Sequence, residues 1–138
     1  MNPETEAYHA LSAYTLTRGD AAFIHQHVVD AYAVQHATAQ SKTIGVAFAL
    51  IGLYLHVERH YTGRAVQRAH MALARHRRQW PVFALPADRG AMTAIDVMAA
   101  PEGAERDAAI HAWCASIWNA CRECRDQVMG LLREHQLF

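Results

Sequence analysis

Apolar residues recur along the chain at three- and four-residue intervals and never in strand-like alternation, so the pattern predicts helices throughout. Tyr8, Leu11 and Tyr14 define a first helix over about residues 3–17, with Asn2 as its cap, Pro3 in its first turn and Arg18-Gly19 as its stop. Asp20 is placed to cap a second helix running from Phe23 to Ala37, whose apolar positions lie on several sides and predict a central, buried element. A third starts at Ser41 or Thr43 and ends near His60; Thr62-Gly63 opens a fourth that continues through Arg75 to the break at Trp80-Pro81. Residues 80–92 carry two prolines, a glycine and no period, which predicts an irregular connection that packs down through Trp80, Val82, Phe83 and Leu85. Thr93 and Asp96 form a capping box ahead of a short helix that Pro101 ends. The last helix is expected from about 103 to 135, with Ile110, Trp113 or Cys114, Ile117, Cys121, Cys124 and Val128, then Leu131 or Leu132, as one buried seam. The expected architecture is all-α: a single domain over 1–138, a bundle of four long helices plus two shorter helices.

Composition narrows the classes without naming one. With 138 residues, 52% apolar and 19% charged, the chain can bury a core without disulfide or metal staples. Thirteen Lys and Arg balance thirteen Asp and Glu, so no net field attracts nucleic acid or anionic lipid, and neither nucleic acid nor membrane is an expected partner. The greasiest stretch, Ile44 to Leu55, falls short of the roughly 18 residues a membrane span needs. The acidic start Met-Asn-Pro-Glu-Thr-Glu is unlike a secretory leader, and three cysteines on one helix fit a reducing, cytoplasmic compartment. A neutral, Ala-rich chain with Trp113 and Trp118 on its last helix suggests a homodimer.

Ten histidines are the unusual feature. On the second helix His25, Tyr32 and His36 share a narrow arc, whereas His27 and Asp30 lie on another side. His25 and His36 stand about 16 Å apart along the axis, so the local pairs are His27 with Asp30 and Tyr32 with His36. His56 and His60 are adjacent on one face of the third helix, but Glu58 between them points away, so this is not the metalloprotease arrangement. His27, Asp30, His56 and His60 are the candidate ligands for a divalent metal (zinc, nickel or manganese). The bland alternatives are an Asp oriented by a neighbouring His, and a His56 that bonds a neighbour while His60 meets solvent. Gly45, Ala49 and Gly52 continue the His56 face and let another helix approach. Glu58 shares its side with Ile44, Ile51, Tyr54 and Leu55, and an ion pair with Arg64, Arg68 or His70 is expected. Cys121 and Cys124 have half the spacing of a zinc site, although small buried hydrophobes account better for all three cysteines. Arg18-Gly19-Asp20 reads as a helix stop and cap, and Arg75, Arg77 and Arg78 as a solvated helix end.

The string His25, Val29-Asp30-Ala31-Tyr32-Ala33, Gln35 and His36 resembles a bacterial domain family of unknown function. The resemblance extends through Leu50-Ile51-Gly52-Leu53, Glu58-Arg59, Thr93 to Val97 and Trp113 to Trp118, about residues 23–120. Members of that family often begin with a Cys-Pro-x-Cys knuckle, which this chain lacks, and often have glycine where it has His60. The resemblance implies no activity. It does imply that His25, Asp30, Tyr32, Gln35, His36 and Glu58 form a shared polar network. The leading expectation is therefore a soluble helical binding or interaction domain with a buried His/Asp/Tyr network. The alternative is a metal-dependent hydrolase or transferase resembling the DinB-like helical bundles. Three ligands from at least two helices beside an open position would favour the second, and a closed hydrogen-bond network the first.

Overall fold

In the computed structural model, which describes residues 2–136, Asn2 Oδ1 accepts the Thr5 amide at 2.8 Å and starts α1 (Pro3–Arg18), which ends at Gly19 with φ 63°. That terminus needs the left-handed region, which glycine enters without penalty. α2 (His25–Gln35) begins two residues later than its periodicity predicts. Asp20 does cap, since its Oδ2 accepts the Ile24 amide at 3.0 Å, but residues 20–23 form a turn with Phe23 at φ 56° before the helix proper. α3 (Thr43–Arg59) is apolar on every side and buries Ala47 and the run from Ala49 to Leu55, which makes it the central element. α4 (Gly63–His76) is capped by Thr62 and turns Val66, Ala69, His70 and Leu73 inward.

α4 stops four residues before Trp80. Arg77 is extended at φ −140° because its guanidinium leaves the helix for other partners: Nε donates to the Gln79 carbonyl at 2.7 Å, the group lies 5.6 Å from the Trp80 ring centroid, and Nη1 pairs with Glu134 at 3.0 Å. The irregular connection that follows is clasped to the end of α2. Arg89 Nη1 donates to the Val34 and Ala37 carbonyls at 3.1 and 2.6 Å, and Gln35 Nε2 donates back to the Met92 carbonyl at 2.8 Å. The Ala37 carbonyl just past the helix end finds its partner here, whereas the Val34 carbonyl also accepts the Ala37 amide at 3.3 Å. The Thr93–Asp96 capping box forms in both directions and opens α5 (Ala94–Ala99).

The single C-terminal helix is instead three pieces: α6 (Ala104–Ala120), a 3-10 turn (Arg122–Cys124) and α7 (Arg125–Glu134). At Cys121 the amide is shared between the Ile117 and Trp118 carbonyls, at 3.1 and 3.0 Å, and Cys124 N then bonds Cys121 O at 2.9 Å. Bonding has shifted from four- to three-residue spacing, which tightens the chain and re-aims α7. The seam survives the break, since Cys121, Cys124, Val128 and Leu132 are all buried.

The result is an all-α bundle in which α2 packs on α1, α3, α4 and α6, and α3 also meets α4, α6 and α7. No described helix is long and apolar enough to cross a membrane.

Candidate functional site

Three helices each contribute one imidazole to a cluster. His27 on α2 stacks on His56 of α3, with ring centroids 3.6 Å apart and planes 20° from parallel; His111 of α6 lies 4.7 Å from His56 and 6.3 Å from His27. His56 Nδ1–H donates to the Tyr61 carbonyl at 3.2 Å, a bond that leaves its Nε2 lone pair free. That lone pair accepts from His111 Nδ1 at 2.8 Å. The rings line the wall of a cavity of about 730 Å³, whose apolar wall is Ala22, Ile24, Val57 and Ala115. Arg18, ion-paired to Asp107, stands on its rim, as do Asp20 and His60.

His27 and His56 were expected to be candidate ligands; His111 was not, although Asp107 and His111, four residues apart, put two polar side chains on one face of α6. His60 sits at φ 58° beyond the end of α3, exposed at the rim. That left-handed backbone accounts for the glycine which the family resemblance puts at this position. An imidazole set suits zinc, nickel or copper. As the side chains stand, stacking keeps the nitrogens off a common point, and among the described residues no group of three or more His, Cys, Asp or Glu is set to hold an ion.

Behind His27, one turn along α2, Asp30 is buried against α3. A Cβ on Gly52 would come within 1.9 Å of Asp30 Oδ2, so only glycine leaves room there for the carboxyl. Oδ1 accepts from Gln26 at 3.0 Å, while Oδ2 and His27 Nδ1 are buried with no hydrogen-bond partner. The expected small-residue approach is thus real at Gly52, and absent at Gly45, where nothing lies within 4 Å of an added Cβ.

The remaining expected network residues are hydrogen-bonded elsewhere, four of them on other sides of α2 and Glu58 on α3. His25 Nδ1 pairs with Thr15 Oγ1 at 2.9 Å, Tyr32 Oη with Thr5 Oγ1 at 3.2 Å, and His36 Nε2 with Glu4 at 2.9 Å, so this arc docks α1. Tyr32 also stacks on Tyr8 at 3.7 Å. Gln35 Oε1 accepts from Trp113 Nε1 at 3.0 Å, tying α2 to α6. Glu58 finds a cation, but not on α4: Arg125 of α7 donates to both carboxylate oxygens at 2.8 and 2.9 Å, and Trp118 Nε1 adds a third bond at 2.7 Å. The helix break at Cys121 is what brings Arg125 there, whereas His70 is used elsewhere, bonding the Phe48 carbonyl at 2.7 Å.

Burial pushes His27 down to about 3, with the neighbouring charges of His56 and His111 acting the same way, and pushes His56 down to about 4. His25 and His70 are lowered by burial as well. Asp30 is raised well above its ordinary value, also by burial. For the imidazoles the unfolded chain binds more protons below pH about 6.5, so their stability is fully present above that pH and is lost as pH falls toward 4 and 3. Asp30 has the opposite sign: its contribution is present below pH about 3.8 and is lost as pH rises through its raised folded value. Four imidazoles outweigh one carboxyl, so the urea midpoint should rise from pH 4.5 to 7, and Asp30→Asn should steepen that rise. A flat profile, or one unchanged by Asp30→Asn, contradicts the assignment.

All three cysteines are free and buried; burial pushes Cys121 up to about 11 and raises Cys114 and Cys124. Native protein should therefore react with a thiol-specific disulfide reagent at least about a hundredfold more slowly than denatured protein. Prompt labelling of Cys121 or Cys124 without denaturant would contradict the seam.

No curated protein and no solved structure matches the chain. A family model described as a family of unknown function (DUF5946) matches residues 5–122, from the first turns of α1 through the helices that carry His27, His56 and His111 to the break after α6. The chain belongs to that family.

Proposed function

We propose that the chain is a small-molecule-binding domain whose site is the cavity lined by His27, His56 and His111. The observation that carries this reading is the meeting of three imidazoles from three different helices, with His27 and His56 held uncharged by burial, on the wall of a cavity of about 730 Å³. A space of that size with an apolar wall and a few converging polar groups is what a small ligand occupies. The ligand class is an apolar body carrying a hydrogen-bond donor, matched to the acceptor nitrogen of His27, which burial keeps uncharged. The alternative from the sequence, a metal-dependent hydrolase or transferase, loses ground because as the side chains stand no described group of three is set to hold an ion. Three free buried thiols suit a reducing compartment, so we place the protein in the cytoplasm.

The test uses metal-free protein, titrated with phenol and with benzamide and followed by amide NMR. Shifts should concentrate at Ile24, His56, Tyr61 and His111, and His56→Trp, which fills the cavity, should abolish them. Shifts confined to the smaller cavity beside Ala37 and Phe83, or none at millimolar probe, would refute the reading.

A further inference from the structure

Ring positions around the cavity say more than that ligands fit there. A divalent ion held by three imidazoles at about 2.0–2.1 Å keeps the ring centroids roughly 5 Å from one another. The three observed separations, 3.6, 4.7 and 6.3 Å, straddle that spacing. Each ring comes from a different helix, so the backbone already supplies the triangle. What separates the set from a ligand sphere is side-chain torsion: the His27 and His56 rings must part by about 1.5 Å, and His111 must turn its other nitrogen inward.

We propose that His27, His56 and His111 are a three-histidine site for a divalent transition metal of the zinc class, with the cavity as its open coordination position. His56 is the anchor. Its Nδ1–H is held by the Tyr61 carbonyl, so Nε2 is the nitrogen left to ligate, and such backbone bonds fix the tautomer of metal-binding histidines. The ion takes the lone pair that now accepts from His111. Released from that bond, the His111 ring turns to present Nε2 and keeps its proton on Nδ1, so no proton is gained or lost. His27 presents one nitrogen to the ion and is left with its unpartnered, buried Nδ1, one helical turn from the unpartnered Oδ2 of Asp30. A carboxyl behind a ligating imidazole is the usual support for such a ligand. His60 and Asp30 fall outside the ligand set, in contrast with the sequence expectation, while His111 enters it. The inference rests on the cavity being the binding site, and it concerns binding, with no reaction assigned.

The experiment uses full-length protein without a His-tag. Cobalt is titrated while visible d–d absorption is recorded, and zinc retained after gel filtration is measured by elemental analysis. One equivalent of each metal should bind, with an intense tetrahedral or five-coordinate cobalt spectrum. His27→Ala, His56→Ala and His111→Ala should each weaken zinc at least about a hundredfold, whereas His25→Ala, His36→Ala and His60→Ala should leave it within about threefold. Circular dichroism checks each fold. Should one of the first three fail to fold, long-range proton–nitrogen NMR of the wild type decides, because zinc should shift His56 Nε2 and leave its Nδ1–H in place. No cobalt spectrum and no retained zinc, or binding indifferent to the three substitutions, overturns the inference. If zinc fails while phenol and benzamide still map to the cavity of the metal-free protein, only the metal assignment falls. If both fail, the binding site itself is wrong.

Discussion

Replacing Trp113 by Ala should lower the stability of the fold by about 3–5 kcal/mol, the range for deleting a buried aromatic, and the melting temperature by at least about 10 °C. Trp113 is among the largest side chains with no exposed surface, and it stands where α6 crosses α2. Its loss leaves a void bounded by two helices that are held from other sides and cannot collapse into it. It also strands Gln35 Oε1, which accepts the indole N–H while Nε2 of the same side chain holds the Met92 carbonyl. Trp113→Phe separates the contributions: most of the volume stays and the donor goes, so a loss of about 1–3 kcal/mol is expected. Urea denaturation of both variants decides, and an Ala variant within about 1 kcal/mol of wild type would show that the α2–α6 contact matters little.

The second large effect is expected at Gly63. A Cβ there would lie 1.8 Å from the Phe23 carbonyl oxygen and 2.8 Å from its carbon, both backbone atoms. Arg64 N donates to Ala22 O at 2.9 Å beside it, so the α2 entry turn and the start of α4 are locked together and cannot part without losing that bond. Gly63→Ala should destabilise by at least about 2 kcal/mol, outweighing the gain of about 1 kcal/mol that Ala brings to a helix. Gly130→Ala is the control of opposite sign. It lies exposed within α7 with nothing within 4 Å of an added Cβ, and should stabilise by about 0.5–1 kcal/mol. Equal tolerance of the two substitutions would refute the close approach.

Local signals were legible where local bonds decide the outcome. The Asn2 cap, the left-handed Gly19 and the Thr93–Asp96 box depend on residues three or four apart, and they form as read. The C-terminal break was not legible, because nothing at Cys121 resembles a breaker and the apolar spacing runs through it unchanged. Glu58 illustrates the boundary between the two cases. That it needs a cation follows from its face of α3, but which cation depends on the direction of α7, and so on the break. The candidate site follows the same rule. His27 and His56 stand out on their own helices, whereas His111 gains its place from the crossing of α6 over two helices that lie 55 and more residues earlier in the chain.

The clasp between Arg89 and the end of α2 gives the chain a topology of its own. Its bonds join residues 52 to 57 positions apart and enclose α3 and α4 in a ring closed by side chains, where a small secreted protein would use a disulfide. Closing a ring of that size costs about 3–4 kcal/mol of chain entropy, but each doubling of its length adds only about 0.6 kcal/mol. Residues 38–42, exposed and within the ring, are therefore a place where the chain can be lengthened at little cost while the α3–α4 pair and the closure persist.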